Sequence, residues 1–264
     1  MMEYLFYENI CQVIFYHVND ISAYLPILLT CKKWLYYGYK YLDFTVDDNI
    51  MIRKSSTFGK IRTVNRLLQD PRVDPSAGKQ YAITLASSNG HHEVVASLLK
   101  DPRVDPGECN QEAIRWAVRN GHHEVVDILL EDTRVDPSAQ NQFAIRWAAD
   151  EGYLEVVKLL LKDPRVDPSV QDQYAIRWAA ASGHHEVVAL LLKDTRVDPS
   201  AQDQSAIKWA SENGHLQVVE RLLKDPRVDP SVSDQYAIRW AFLNGHDLVV
   251  ELLLKDPRVK HIQV

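Results

Sequence analysis

One phrase of 31 residues recurs along most of this 264-residue chain, and a repeat of that size restricts the fold more than any other feature. The valine of an Arg-Val motif and a separate glycine both return at this interval. The valines are Val73, Val104, Val135, Val166, Val197, Val228 and Val259, and the glycines are Gly59, Gly90, Gly121, Gly152, Gly183, Gly214 and Gly245. Seven glycines indicate seven copies of one structural unit.

Each copy contains two short stretches in which apolar residues have helical spacing. In the copy that starts at Asp163, Ala175 to Ala181 reads as a first helix, and Gly183 ends it because glycine adopts a positive φ without strain. Glu186 to Lys193 reads as a second helix with an apolar face. Helices of about two to three turns are not stable alone in water. The copies must therefore stack on their neighbours, which predicts an all-α solenoid of seven helix-turn-helix repeats.

The tryptophan-containing copies carry close variants of the phrase A-I-R-W-A-A-x-x-G-H-x-E-V-V-x-L-L-L. It resembles the ankyrin repeat, whose signature is T-P-L-H-x-A followed by G-H-x-E-V-V-x-L-L-L. The resemblance covers residues 50 to 264 and implies an ankyrin-type solenoid of the kind encoded by amoebae and the giant viruses that infect them. Here the T-P-L-H tetrad is replaced, for example by Tyr174-Ala175-Ile176-Arg177, and the period is 31 rather than about 33. We therefore expect a compact D-P-R-V-D-P-S turn in place of the usual β-hairpin.

Charge and cysteine content limit the partners and the compartment. The chain has 30 Lys and Arg and 36 Asp and Glu, so its net charge is −6. A negative net charge disfavours nucleic acid as a partner. Cys11, Cys31 and Cys109 lack the spacing of a disulfide framework or a metal site, which predicts a reducing compartment. Glu3 and Glu8 lie where a signal peptide would be basic, and no apolar run reaches about 18 residues. We expect a cytoplasmic protein (in the host cell, for a virus) without membrane partners.

Residues 1–48 contain no copy of the repeat and are predicted to form a small helical domain before the array of residues 49–264. Leu5, Glu8, Ile10, Val13 and Ile14, followed by Cys31-Lys32-Lys33-Trp34, resemble an F-box, which reads L-P-x-E-L-L-x-x-I-F and then V-C-K-x-W. Phe6 stands where that family has proline.

The F-box resemblance implies docking to the Skp-type adaptor of a cullin–RING ubiquitin ligase. The implied contact residues are Leu5, Ile10, Val13, Ile14 and Trp34. The two resemblances together predict an adaptor that links a bound target to the ligase. The alternative is a plain ankyrin binding protein in which residues 1–48 are a helical cap without a ligase link.

The recurring polar residues do not predict catalysis, a metal or a cofactor. The paired histidines, such as His184-His185, point apart, whereas zinc needs three or four converging ligands. The first histidine of each pair is expected to be structural. The recurring Asp101, Arg103 and Asp105 lack the spacing of a calcium loop and predict a salt-bridged ladder between loops. We expect no enzymatic activity.

The first-helix face is the expected binding surface. One variable position reads Tyr81, Glu112, Phe143, Tyr174, Ser205, Tyr236, and a second reads Ser88, Arg119, Asp150, Ala181, Glu212, Leu243. The two are seven residues apart, so at about 100° per residue they share one face. The first helices of ankyrin proteins line a concave surface that binds partners. Since aromatic residues and arginine are common hot spots, we expect Arg119, Phe143, Tyr174 and Tyr236 to contact a target protein. The alternative is that these positions are only unconstrained by packing.

The tryptophans form a further row, Trp116, Trp147, Trp178, Trp209 and Trp240, with the same interval of 31 residues. They stand where the ankyrin family has a core leucine. We therefore expect them to pack between repeats rather than to form a platform for a ligand.

Overall fold

A computed structural model describes residues 49–259, so the predicted adaptor contacts Leu5, Ile10, Val13, Ile14 and Trp34 lie outside the described residues. Within residues 49–259 the chain forms 14 α-helices and no β-strand. Consecutive helices form seven pairs, one pair for each copy of the repeat. The all-α repeat fold expected from the 31-residue period is confirmed for this part of the chain.

The helix pairs follow the repeat without interruption. The first helices are α1 (Ile50–Thr57), α3 (Ala77–Ser88), α5 (Glu108–Arg119), α7 (Ala139–Asp150), α9 (Val170–Ala181), α11 (Ala201–Glu212) and α13 (Val232–Leu243). The second helices are α2 (Ile61–Leu68), α4 (His92–Leu98), α6 (His123–Leu130), α8 (Leu154–Leu160), α10 (His185–Leu191), α12 (Leu216–Leu222) and α14 (Asp247–Leu253).

The helices belong to two compact units, one that ends at Val135 and one that begins at Asp136. In the first unit, α1, α3 and α5 pack side by side, and α2, α4 and α6 form a second layer. In the other unit, α7, α9, α11 and α13 form one layer, and α8, α10, α12 and α14 form the other. Each unit is therefore a stack of helix pairs that contact mainly their neighbours, as in a solenoid.

The same positions of each copy supply the core. In the fifth copy Ile176 and Ala179 of α9 and Val188 and Leu191 of α10 are fully buried, as is Val166 of the preceding loop. The small alanine lets neighbouring helices approach closely. Burial of one isoleucine or leucine side chain contributes about 1.5–3 kcal/mol, and the repeated set adds this contribution in every copy.

Six of the first helices begin with a left-handed turn that the sequence patterns did not predict. In α9 the φ angles of Gln171, Asp172 and Gln173 are 52°, 54° and 64°, and the right-handed helix begins only at Tyr174. The equivalent turns are residues 78–80, 109–111, 140–142, 202–204 and 233–235. Left-handed backbone costs about 1–2 kcal/mol for a residue with a side chain. Specific contacts must offset that cost.

Two side chains stabilise the left-handed turn. Arg177 donates from Nε to the carbonyl oxygen of Asp172 at 2.7 Å and from Nη2 to that of Gln171 at 3.1 Å. Gln173 donates from Nε2 to the carbonyl oxygen of Arg196, in the loop of the next copy, at 3.1 Å. The recurring arginine of the A-I-R-W phrase therefore has a structural role in closing this turn.

The D-P-R-V-D-P-S segment forms a compact turn, as expected, and not a β-hairpin. Arg196 donates to the carboxylate of Asp194 from Nε at 2.9 Å and from Nη2 at 2.6 Å. These hydrogen bonds hold the pKa of Asp194 below its usual value. Nη1 of Arg196 reaches the carbonyl oxygen of Val166 in the preceding copy at 2.7 Å. The arginine therefore ties its own loop together and also links two copies.

The second aspartate of each loop joins the expected ladder through its charge, but its hydrogen bonds stay within its own turn. The pKa of Arg227 is raised by its hydrogen bond to Asp225 and also by the charge of Asp198 in the preceding copy. Asp198 accepts hydrogen bonds from the backbone N–H of Ser200 at 2.9 Å and from its hydroxyl at 2.6 Å. The same pattern recurs at Asp167 with Ser169 and at Asp229 with Ser231. The second aspartate therefore caps a tight turn, because its carboxylate lies within reach of its own backbone.

The histidine that follows the glycine recurring every 31 residues links neighbouring copies, in line with its expected structural role. His184 donates from Nε2 to the carbonyl oxygen of Asp150 at 2.9 Å, and its ring packs against Gly152. His91, His122, His215 and His246 make the same bond to the carbonyl oxygens of Thr57, Ser88, Ala181 and Glu212. Among residues 49–259, no group of three or more His, Cys, Asp or Glu side chains is arranged to hold a metal ion.

Candidate protein-binding surface

Aromatic side chains of the first helices cluster on one face of the unit that begins at Asp136. Phe143 stacks on Trp147 with ring centroids 5.7 Å apart, and Tyr174 stacks on Trp178 at 5.5 Å. Tyr236 and Trp240 form the same pair at 5.7 Å. Residues four apart are neighbours on a helix surface, so each pair lies along its helix. Together with Trp209, which lies 5.6 Å from Trp178, these rings are called the aromatic strip.

Cationic side chains connect the rings of neighbouring copies. Cζ of Arg146 lies 5.2 Å from the centroid of the Tyr174 ring, and Cζ of Arg177 lies 5.6 Å from that of Trp209. Nζ of Lys208 lies 5.3 Å from the centroid of the Tyr236 ring. All three distances fall within the range of about 6 Å for a cation–π contact. The strip thus continues from copy to copy through the recurring arginine or lysine.

Carboxylates fix the hydroxyl groups of two tyrosines in the strip. Tyr236 donates its hydroxyl proton to Oε2 of Glu212, in the preceding copy, at 2.8 Å. Burial and this hydrogen bond raise the pKa of Tyr236. Burial also raises the pKa of Tyr174, and the negative charge of Asp150 in the preceding copy raises it further. The two variable positions identified in the sequence therefore contact each other across neighbouring copies.

The structure brings three of the four expected partner-binding residues together. Phe143, Tyr174 and Tyr236 belong to the aromatic strip. Arg119 lies in the unit that ends at Val135, at the end of α5, where it is exposed and its guanidinium lies 5.2 Å from the centroid of the Trp116 ring. Arg119 is therefore a separate candidate on the other unit.

The tryptophans belong to the surface, and their assignment to the position of a core leucine is wrong. Trp178 is 37% exposed and Trp240 is 38% exposed, while Trp116, Trp147 and Trp209 are half-buried. The packing between repeats expected for this row does occur where Trp178 meets Trp209. The helix rotates by about 200° between Ile176 and Trp178, so a buried isoleucine turns the tryptophan away from the core. That rotation is a sequence signal that could have identified the tryptophans as surface residues.

Sequence comparison agrees with the helix pairs in indicating an ankyrin-type repeat. A profile of the family described as Ankyrin repeats (3 copies) matches residues 52–141, 145–234 and 176–263. No curated protein matches the sequence significantly. None of the helices within residues 49–259 has the length and apolar character needed to cross a membrane. Because the profile covers most of the chain, the protein belongs to the ankyrin repeat family, whose repeats mediate protein–protein interactions.

Proposed function

We propose that the protein is a cytoplasmic adaptor for ubiquitin ligation. In this proposal the array of residues 49–264 holds a target protein on its first-helix surface. Residues 1–48 act as an F-box that recruits the Skp-type adaptor of a cullin–RING ligase. The repeat phrase resembles the arrays of amoebae and of the giant viruses that infect them, and in such a host the adaptor would act in the cytoplasm. The exposed aromatic strip is the observation that carries the target-binding part.

The contacts within the strip support a binding role over the alternative that its positions are merely unconstrained. Solvent-exposed positions need no fixed geometry, yet Tyr236 is hydrogen-bonded to Glu212 and its ring packs at a tilt against that of Trp240. Rings that are already ordered lose little conformational entropy when a partner binds. Large aromatic side chains with part of their surface exposed are also the usual source of binding energy at interfaces.

Replacement of single anchors by alanine is expected to weaken target binding. Phe143→Ala, Tyr174→Ala, Tyr236→Ala and Arg119→Ala should each cost more than about 1 kcal/mol of binding free energy, because each removes a large contact side chain. The melting temperature should fall by no more than about 2–4 °C, because these side chains are exposed or half-buried and lose only surface contacts. Titration calorimetry with the target protein, once it has been captured from a host lysate, measures the binding free energy. Circular dichroism measures the melting temperature.

Tyr81→Ala supplies a matched control, since Tyr81 has the same register position and is exposed in the other unit. This variant removes an exposed aromatic side chain of a first helix that is not part of the aromatic strip. Its target affinity should therefore stay close to that of the wild type. Unchanged binding by all four anchor variants would move the target site to the D-P-R-V-D-P loops.

The ligase link rests on the pattern of Leu5, Glu8, Ile10 and Ile14 and on Cys31 to Trp34. Simultaneous replacement of Leu5, Ile10 and Ile14 by Asp is expected to abolish co-purification of a Skp-type adaptor, because an F-box binds it through apolar side chains. The helical content and melting temperature of the array serve as the control. If the unaltered protein recovers no such adaptor, residues 1–48 are better described as a helical cap.

A further inference from the structure

The charges that flank the aromatic strip differ in how far they reach into solvent. At one edge, the left-handed turns of the last three copies present Asp172, Asp203 and Asp234. Asp172 is exposed, and the side chains of Asp203 and Asp234 are 66% and 89% exposed. At the other ends of the first helices lie Asp150 and Glu212, at helix C-termini that carry partial negative charge themselves. Carboxylates therefore flank the rings on both sides.

Most of the cations on this face are directed inward. Arg146 donates to the carbonyl oxygens of Asn141 and Gln140 and to Oε1 of Gln171. Arg177 bonds two carbonyl oxygens of its own turn. The Lys208 side chain is only 14% exposed and is held by Asp203 and Ser233. Arg239 has a more exposed side chain, at 52%, and pairs with Asp234 at 2.7 Å.

The spacing of the rings restricts how a ligand can lie on the strip. The ring centroid of Trp178 lies 5.5 Å from that of Tyr174 and 5.6 Å from that of Trp209. Rings in direct contact leave no space for an ammonium group or a planar base between them. A partner must therefore lie across the ring faces and edges. Arginine and lysine suit this position, because their apolar stems pack on rings while their charged groups reach neighbouring carboxylates.

From these observations we infer that the aromatic strip takes a basic segment of the target protein, rich in arginine or lysine, rather than an acidic segment. This inference rests on the proposed function and specifies the chemistry of its partner. The recurring arginines would not attract an acidic segment strongly, because their charge is satisfied by backbone carbonyls and ring faces. Asp203 and Asp234 pair with Lys208 and Arg239 through Oδ2 alone and stay 66% and 89% exposed, so each can still offer its other oxygen to a cationic partner.

A peptide of ten arginines, labelled with fluorescein, tests the inference by fluorescence anisotropy on the full chain. The triple variant Asp172→Asn, Asp203→Asn, Asp234→Asn should weaken its binding by about tenfold, because three carboxylates leave the edge of the strip. Asparagine already occupies the equivalent positions Asn110 and Asn141, both left-handed, so the fold is preserved.

A second triple variant, Glu186→Gln, Glu220→Gln, Glu251→Gln, changes the net charge equally but at exposed positions of the second helices. It should weaken binding of the peptide by less than about twofold. Equal losses in the two triple variants would show attraction to net charge alone and overturn the inference. Tighter binding of a peptide of ten glutamates would overturn it as well.

The inference and the proposed function can fail separately. Binding of the captured target by Tyr174→Ala and Tyr236→Ala decides whether the strip is the target site. Binding of the arginine peptide by the two triple variants decides only whether the strip prefers a basic segment. If the tyrosine variants lose the target and the two triple variants behave alike, the target site stands and the charge preference falls.

Discussion

Gly152→Ala is expected to lower the free energy of unfolding by about 2–4 kcal/mol. Gly152 has a φ of +74°, and an added Cβ would clash with Nδ1 of His184. The histidine ring cannot move away without loss of its 2.9 Å hydrogen bond to the carbonyl oxygen of Asp150. Urea denaturation followed by circular dichroism measures the change.

Gly245→Ala is the matched control for this substitution. Gly245 has nearly the same φ, +73°, but an added Cβ would meet no atom of the described residues within 4 Å. Its replacement should cost only the left-handed backbone penalty, about 1 kcal/mol. The difference between the two variants isolates the contact between glycine and histidine. Equal losses would mean that the histidine ring does not lock the copies together.

A fall in pH from 7 to 2 is expected to destabilise the array by several kcal/mol through the Asp–Arg pairs of its loops. The pairs involve Asp70, Asp101, Asp132, Asp163, Asp194, Asp225 and Asp256. Hydrogen bonds from the paired arginine lower the pKa of each carboxyl from its ordinary 3.8. The stabilisation is present above that value and is lost as the pH falls through the lower folded values.

Each pair is partly exposed and screened by solvent, so about 0.5–1 kcal/mol for each is the expected scale. Asp194→Asn tests the attribution, because its amide oxygen still accepts the backbone N–H of Arg196 while the charge is gone. The variant should melt below the wild type at pH 7 and converge with it as the pH falls to 2. A constant difference in melting temperature across this range would assign the effect to geometry rather than to charge.

The sequence predicts the parts of the fold that depend on local periodicity. Both helices of a pair are predicted by the interval of 31 residues and by the spacing of Ile176, Val188 and Leu191. This works because apolar residues recur along the buried face of each helix. The left-handed turn at residues 171–173 has no such signal. Only its central Asp172 belongs to a residue type that tolerates positive φ, and the turn is held by Arg177 and by the distant carbonyl oxygen of Arg196.

The candidate site was predictable in part, for a related reason. Variation between copies identified Phe143, Tyr174 and Tyr236 because scaffold positions must repeat and contact positions need not. The tryptophans were assigned from the position of a leucine in related repeats, whereas their exposure follows from the local rotation of the helix about Ile176. The inward direction of Arg146 and Arg177 depends on the left-handed turn, so it could not be expected before that turn was known.

Many of the hydrogen bonds that join one copy to the next end on backbone carbonyl oxygens. The histidine bond shows this most clearly, since its acceptors belong to five different residue types: Thr57, Ser88, Asp150, Ala181 and Glu212. A joint of this kind does not depend on the neighbour's side chain. A gene encoding such a chain can therefore gain, lose or exchange units of 31 residues by unequal recombination without any matching change next to the new junction. The length of its binding face is thus open to rapid evolution in steps of one repeat.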